Sequence, residues 1–220
     1  EAFIQSLNGM LYDDDPKQGV IEGSAFRHPE LKLGFNAPSG YVMINEPQAV
    51  SISGTGGQAQ FSGAAYNGDM NAYMAGVFQA VGGSQTQVNY GTVQRTTING
   101  LPTAYASARA NTQSGPVDVT VYVYEFGPSS AFHIVAITPV GATTFNSLFQ
   151  SVRRLSAGEV AAIKPHKIDI VTVRQGDTIK SLSERMAYPD YRLERFQVLN
   201  GLGETDTLKT GQKVKIVVSG

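Results

Sequence analysis

The sequence predicts an α+β protein, in which an antiparallel sheet carries two packed helices and is followed by a small strand–helix–helix–strand domain. Three observations support this fold class. Segments of alternating apolar and polar residues recur through the first two thirds of the chain, separated by hairpin-length turns. Two segments instead place apolar residues at helical spacing. A further change of periodicity follows a linker near Pro165.

The start of the chain predicts a short amphipathic helix. Its apolar residues fall on one helical face: Phe3, Ile4, Leu7, Met10 and Leu11. The polar run Asp13–Asp15, followed by Pro16, ends the helix. We expect residues 1–20 to be a helix and linker that come from a preceding domain.

Residues 21–156 carry the signals of the sheet domain. Asn99-Gly100 is the favoured dipeptide of a type I′ hairpin turn. In the strand after Pro116, Val117, Val119, Val121 and Val123 alternate with polar or aromatic residues, which predicts one apolar face. The loop 54–57 leads from one strand into another, so we interpret it as a hairpin turn and not as a phosphate-binding loop.

Two helices are predicted to pack on this sheet. The first has Asp69 as its N-cap, the apolar series Met70, Tyr73, Met74, Val77, Phe78 and Val81, and a stop at Gly82-Gly83. The second has Phe145, Leu148, Phe149, Val152 and Leu155 on one face. This order of elements resembles the PsbP-like sandwich fold. A linker over residues 157–166 follows, opened by the capping-box spacing of Ser156 and Glu159.

The composition excludes several kinds of chemistry. The chain has no cysteine, so we expect no disulfide, no thiol catalysis and no Cys-ligated zinc. His28, His133 and His166 lack the spacing of a metal-binding helix, and we expect them to be structural or solvated. No catalytic residue and no metal ligand is therefore predicted.

The charge pattern bears on partners. Residues 1–163 carry 7 Lys and Arg against 11 Asp and Glu, whereas residues 164–220 carry 10 against 7. Neither part has the dense basic stripe that nucleic-acid binding requires. No apolar run reaches the length of a membrane span. The difference in charge indicates two units.

The segment 167–220 contains three separate sequence signals. VTVRQGDTI runs into Leu182 and Met186 at helical spacing, LNGL ends a second helix, and LKTGQKVKI makes a turn and a last strand. Gly176 allows a sharp turn, and Asp177 or Thr178 serves as the cap of the helix that follows. The same residues could be mistaken for an anion cradle or a catalytic acid, and the turn-and-cap interpretation is preferred.

These three signals, in this order, resemble a LysM domain. The resemblance implies a strand–helix–helix–strand module that binds N-acetylglucosamine-containing glycans, such as peptidoglycan, in a shallow groove. The loops that form such a groove correspond here to Gly176, Asp177, Thr178, Ile179, Asn200, Gly201 and Leu202. AYPDYRLERF lengthens the connection between the helices and supplies candidate rim or docking residues: Tyr188, Tyr191, Arg192 and Arg195.

The whole chain also resembles the region downstream of the protease domain in some bacterial envelope zinc metalloproteases (BepA-like, HExxH type). The stretches that carry this resemblance are FRHPELKLGFNAPSGYVMIN, the central VQRTTINGLPTAYASARANTQSGPVDVTVYVYEF and the LysM-like tail. The resemblance implies a periplasmic, non-catalytic accessory region beside an upstream protease domain, which alone would hold zinc.

Two other functions stay open at this stage. The chain could be an envelope interaction scaffold whose LysM-like domain has lost glycan binding and binds an envelope protein. It could also be an enzyme with an unfamiliar site in the sandwich, in which case a deep pocket with convergent polar groups is expected.

Overall fold

The computed structural model describes residues 2–12, 16–83 and 88–220, and the chain divides into two compact units. The central unit is Lys17–Val160, and the terminal unit combines Glu1–Pro16 with Ala161–Gly220. Asp13–Asp15, the predicted break, lie outside the described residues. No helix in the described part is long and apolar enough to cross a membrane.

The helices and strands are numbered in chain order. The α-helices are α1 (Ala2–Ser6), α2 (Met70–Gly82), α3 (Asn146–Ser151), α4 (Ala157–Ala162), α5 (Ile179–Ser183) and α6 (Arg192–Asn200). The strands are β1 (Leu11–Tyr12), β2 (Val20–Glu22), β3 (Ala25–His28), β4 (Leu33–Asn36), β5 (Val42–Glu46), β6 (Ala49–Gly54), β7 (Gly57–Gly63), β8 (Gln94–Ile98), β9 (Leu101–Thr112), β10 (Gly115–Gly127), β11 (Ser130–Pro139), β12 (Arg153–Arg154), β13 (His166–Thr172) and β14 (Lys213–Ser219).

The central unit contains two antiparallel sheets. The larger has the order β5-β6-β7-β11-β10-β9-β8, and the smaller has the order β12-β4-β3-β2. The strand pairs within both are antiparallel, as hairpin-length connections require. Asn99 and Gly100 both have positive φ (49° and 77°), which is the type I′ geometry expected of that dipeptide. The predicted α+β class is confirmed.

The helix α2 covers one face of the larger sheet. The Asp69 carboxylate accepts hydrogen bonds from the Asn71 and Ala72 backbone N–H groups, and the helix ends at Gly83 with φ 72°. Its buried residues pack against the valines of β10 and the alanines of β9, all within one cluster: Met70, Tyr73, Met74, Val77, Phe78, Ala104, Ala106, Ala108, Val119, Val121 and Val123. The predicted N-cap and stop are confirmed, and so is the buried face except for Val81, which is 38% exposed near the end of the helix.

The opposite face of the larger sheet packs against the smaller sheet and α3. Phe26 and Phe35 come from the smaller sheet, Tyr124 from β10, and Leu148 from α3. The second helix is shorter than predicted, because the chain straightens after Ser151 and forms β12 against β4. The apolar residues expected on its face are nevertheless all buried: Phe145, Leu148, Phe149, Val152 and Leu155.

The terminal unit is a three-stranded sheet in the order β1-β13-β14, with α5 and α6 between its last two strands in sequence. Met186, Phe196 and Val214 are among the residues of its buried cluster. The N-terminal segment differs from the prediction. Its helix ends at Ser6, and Leu11 and Tyr12 then pair with Lys167 and His166. Strand pairing to β13 competes with helix continuation there, and periodicity within the segment cannot reveal a partner so distant in sequence.

Candidate functional site

The first candidate loop lies between β13 and α5. Gly176 has φ 92°, a conformation that glycine adopts readily, and a Cβ added there would meet no atom within 4 Å. Asp177 closes the turn, since its carboxylate accepts from the Arg174 backbone N–H at 2.7 Å. Thr178 is the helix cap, and it forms a reciprocal capping box with Ser181. The sequence left the helix cap open between Asp177 and Thr178, and the structure assigns it to Thr178.

The second candidate loop begins at the end of α6. Gly201 has φ 64° and terminates the helix, and the Leu202 N–H donates to the Gln197 carbonyl at 2.8 Å. The Asn200 side chain points to β14, where it donates to the Lys215 carbonyl at 2.8 Å and accepts from the Lys215 N–H at 2.7 Å. Asn200 also donates to the Phe196 carbonyl at 3.0 Å. The predicted binding residue Asn200 is therefore held by backbone groups of its own unit.

Two backbone hydrogen bonds join the residue that precedes the first loop to the turn that precedes β14. The Val173 N–H donates to the Gln212 carbonyl, and the Gly211 N–H donates to the Val173 carbonyl, both at 2.8 Å. The Gln212 side chain also accepts from the Lys209 N–H at 3.0 Å, which closes the turn before β14. The start of the first loop and the end of the second are thereby fixed side by side. Gln212 lies outside the predicted site, although the Thr210-Gly211-Gln212 turn sequence was a signal for it.

The surface of these loops is partly apolar. Ile179, Leu202 and Leu208 are half-buried and pack against the core cluster of the unit. Gly176, Thr178 and Gly201 are exposed beside them. Such an arrangement offers apolar contact and exposed backbone, which suits binding to a sugar face better than proton transfer.

The lengthened connection between α5 and α6 folds back on its own unit. Tyr188 is buried, its ring lies 4.9 Å from that of His166, and the Arg195 guanidinium carbon lies 4.3 Å from its centroid. Arg195 also reaches Asp190, with nitrogen and oxygen 3.6 Å apart. Cation–π contact of this kind holds an arginine against the ring face. Tyr188 and Arg195, predicted for the rim or for docking, therefore make structural contacts here.

The remaining insertion residues differ in exposure. Arg192 donates from Nε to the Tyr188 carbonyl, so its head group also contacts its own unit. Tyr191 precedes α6 with φ 48° and is 67% exposed. On α6, Leu193 is 41% and Val198 is 82% exposed. Arg192 and Arg195 thus contact their own unit but are still exposed, and the surface of the insertion carries charged residues as well as the apolar Tyr191 and Leu193.

No metal centre is found within residues 2–12, 16–83 and 88–220, where no three His, Cys, Asp or Glu residues cluster in a way that could hold an ion. The three histidines have separate surroundings. His28 accepts from the Leu31 N–H, His133 bonds Tyr73, and His166 contacts Tyr188.

Comparison with known proteins identifies the terminal unit most directly. No curated protein sequence matches the chain. Among solved structures, one from Bacteroides thetaiotaomicron VPI-5482 is 12% identical with a TM-score of 0.42, covering 86% of this chain. The chain spans 65% of that protein's length. The solution structure of the cyanobacterial PsbP protein (CyanoP) from Synechocystis sp. PCC 6803 is 11% identical with a TM-score of 0.45, covering 61% of this chain and 95% of that one.

A family profile gives the stronger result. Residues 171–217 match the LysM domain. The match begins in β13 and ends in β14, and it includes both candidate loops and both helices between them. The resemblance predicted from the three sequence signals is confirmed, and this chain is similar to a LysM domain over residues 171–217.

Proposed function

We propose that the terminal unit binds N-acetylglucosamine-containing glycan of the bacterial cell wall through its two candidate loops. The observation that carries this proposal is the LysM match over residues 171–217, which includes both loops. The exposed backbone at Gly176 and Gly201 and the half-buried apolar side chains of Ile179 and Leu202 are the contact surface. Asn200 and Asp177 shape this surface through their backbone hydrogen bonds.

In this proposal the chain is a non-catalytic region that acts in the cell envelope, in the periplasm, and requires no cofactor. It positions or regulates a zinc-dependent peptidase whose HExxH domain lies upstream. The peptidase parent rests on the sequence resemblance of the chain alone. Sequencing of the complete gene product tests it, since an HExxH helix before Glu1 is expected.

Binding to purified peptidoglycan sacculi tests the glycan proposal. Gly176→Trp adds bulk in a direction where a Cβ meets nothing within 4 Å, so it is expected to abolish co-sedimentation. Gly176→Asn is the matched control, because it also gives up glycine at φ 92° but adds little bulk, and asparagine tolerates positive φ. Sedimentation of the Trp variant equal to wild type, with both variants folded by circular dichroism, contradicts this groove.

A protein-docking function is the second candidate, favoured by the exposed apolar residues around α6. Tyr191, Leu193 and Val198 are 67%, 41% and 82% exposed, so three apolar side chains face solvent at this helix. Docking is supported over glycan binding if the wild-type protein does not sediment with sacculi but binds an envelope partner, and if the Val198→Ser variant no longer binds that partner.

A further inference from the structure

The central unit contains a large open cleft beside α2. The helix packs over β9 and β10, reaches the half-buried Val135 and Ile137 of β11, and leaves the same sheet face uncovered on β7 and β6. The cleft has a volume of about 1030 Å³, near the upper end of ligand-binding clefts. One wall is the α2 face that carries Ala72, Gly76 and Ala80.

The strand register shows which side chains form the cleft floor. Directly paired residues of an antiparallel sheet point to the same face. Three chains of pairing therefore cross the floor together: Val42–Ser53–Gln58–Ile137, Ile44–Ser51–Gln60–Val135 and Glu46–Ala49–Ser62–His133. The middle of the floor is polar, with Ser and Gln side chains. Apolar side chains lie on both sides of it, Val135 and Ile137 on β11 and the exposed Val42 and Ile44 on β5, where Glu46 follows on the same face.

The cleft lining is uncharged. None of the described residues that line it is Asp, Glu, Lys or Arg. Two lining residues contact acidic groups outside the lining: the Ser51 hydroxyl donates to Glu46 at 3.1 Å, and the Tyr66 hydroxyl donates to Glu125. A charged ligand would lose its hydration on entering the cleft and would find no opposite charge in the lining. The desolvation cost therefore disfavours anionic and cationic ligands. The lining suits a ligand that forms many neutral hydrogen bonds.

His133 adds a neutral imidazole to the floor. Its Nδ1 lies 2.9 Å from the Tyr73 hydroxyl, which also accepts from the Ala64 N–H at 3.0 Å. Burial lowers the pKa of His133 to about 4, so the ring is uncharged at neutral pH. No buried side-chain nitrogen or oxygen in the described part of the chain lacks a partner. The Nε2 atom, for which the described residues give no partner, is therefore not fully buried.

We propose that this cleft binds an uncharged oligosaccharide. Sugar hydroxyls both donate and accept hydrogen bonds, as do the Gln58 and Gln60 amides and the Ser53 hydroxyl. The C–H faces of sugar rings match the apolar sides of the floor. An extended peptide is less suited, because β6 and β7 each have paired strands on both sides and offer no free backbone edge.

A pair of variants at Gly76 tests the cleft. A Cβ at Gly76 meets no atom within 4 Å, so Gly76→Leu projects into open space without a clash. Both Gly76→Leu and Gly76→Ala raise helix propensity, so each is expected to fold with at least wild-type stability. Only the Leu side chain is long enough to obstruct the cleft.

Isothermal titration calorimetry with cellohexaose, maltohexaose and xylohexaose measures binding to the whole chain. These probes carry no N-acetyl groups, so the result is independent of the LysM-type groove. At least one probe is expected to bind the wild-type protein and the Gly76→Ala variant with equal affinity. Its affinity for the Gly76→Leu and Gln60→Ala variants is expected to be about tenfold or more weaker. Absence of binding by all three probes overturns the proposal. Equal binding by Gly76→Leu, or binding of only an uncharged Gly-Ser-Asn peptide, overturns it as well.

Discussion

The side chain of Asn200 holds the backbone of Lys215, accepting from its N–H at 2.7 Å and donating to its carbonyl at 2.8 Å. Lys215 lies on β14, whose other side pairs with β13, so Asn200 satisfies the outer edge of this strand. The Ala187 N–H donates to the Val217 carbonyl further along the same edge. The helical segment therefore protects a sheet edge that would otherwise be open to other chains.

Asn200→Ala is expected to destabilise the terminal unit by roughly 2 kcal/mol, because it leaves both backbone groups of Lys215 without their partner. Urea denaturation followed by circular dichroism measures the change. Gln197→Ala is the control on the same helix, since Gln197 donates from its side chain only to the exposed Gly203 carbonyl. If the two variants lose equal amounts of unfolding free energy, the hydrogen bonds of Asn200 to Lys215 have no special role in stability.

Thr178→Ala is expected to destabilise the terminal unit by about 1 kcal/mol, since it removes the side-chain oxygen that accepts from the Ser181 N–H. Thr178→Ser keeps that oxygen and should retain near-wild-type stability. The melting temperatures of both variants check this expectation. A Ser variant as unstable as the Ala variant would show that the methyl group, and not the cap, carries the effect.

The stability of the central unit is expected to fall as the pH decreases from about 6.5 to 4. Burial lowers the pKa of His133 from 6.5 to about 4, so in this range the unfolded chain binds a proton there that the folded chain does not. Above pH 6.5 the residue is neutral in both states and contributes no pH dependence. The loss expected from His133 is roughly 1 to 3 kcal/mol.

His133→Gln should reduce this pH dependence, as measured by denaturation at a series of pH values. Burial also lowers the pKa of His28, against the opposing charge of Glu30, so part of the dependence should remain in the variant. An unchanged slope between pH 4 and 6.5 would contradict the assignment to His133.

Removal of residues 1–12 is expected to destabilise the terminal unit and expose β13. Ile168 exchanges hydrogen bonds with Gly9 and Met10 at 2.7 and 2.9 Å, and the Ile170 N–H donates to the Asn8 side chain at 3.0 Å. We expect a loss of about 1 to 3 kcal/mol and greater self-association by size-exclusion chromatography. Met10→Ser keeps the backbone bonds and serves as the control. A truncated chain as stable and monomeric as this control would contradict the role of the segment.

Local sequence signals predicted the elements whose cause lies within a few residues. The Asp69 cap, the Asn99-Gly100 turn and the stop at Gly83 each depend on one side chain or one dihedral angle, and the structure confirms all three. The signals at Gly176 and Gly201 were likewise readable, because positive φ at a turn or helix end favours glycine wherever it occurs.

Side-chain partners could not be predicted in the same way. Asn200 was selected as a binding residue because it ends a helix beside a candidate loop, but its partner is fifteen residues away on β14. The sequence likewise placed Tyr188 and Arg195 at a rim, whereas the fold stacks one on the other. The uncovered floor around Gln58 and Gln60 depends on where α2 packs, which periodicity does not show.

The sequence by itself determined the α+β class, the antiparallel pairing and the LysM-like module at the end of the chain. Alternation, helical spacing and turn residues are local, and they act before any distant contact forms. Only the tertiary structure decided that residues 8–12 complete the sheet of that module, that Asn200 supports a strand edge, and that a neutral cleft opens beside α2. These features arise from groups that are distant in sequence. Such groups form hydrogen bonds with one another and bury one another only once the chain has folded.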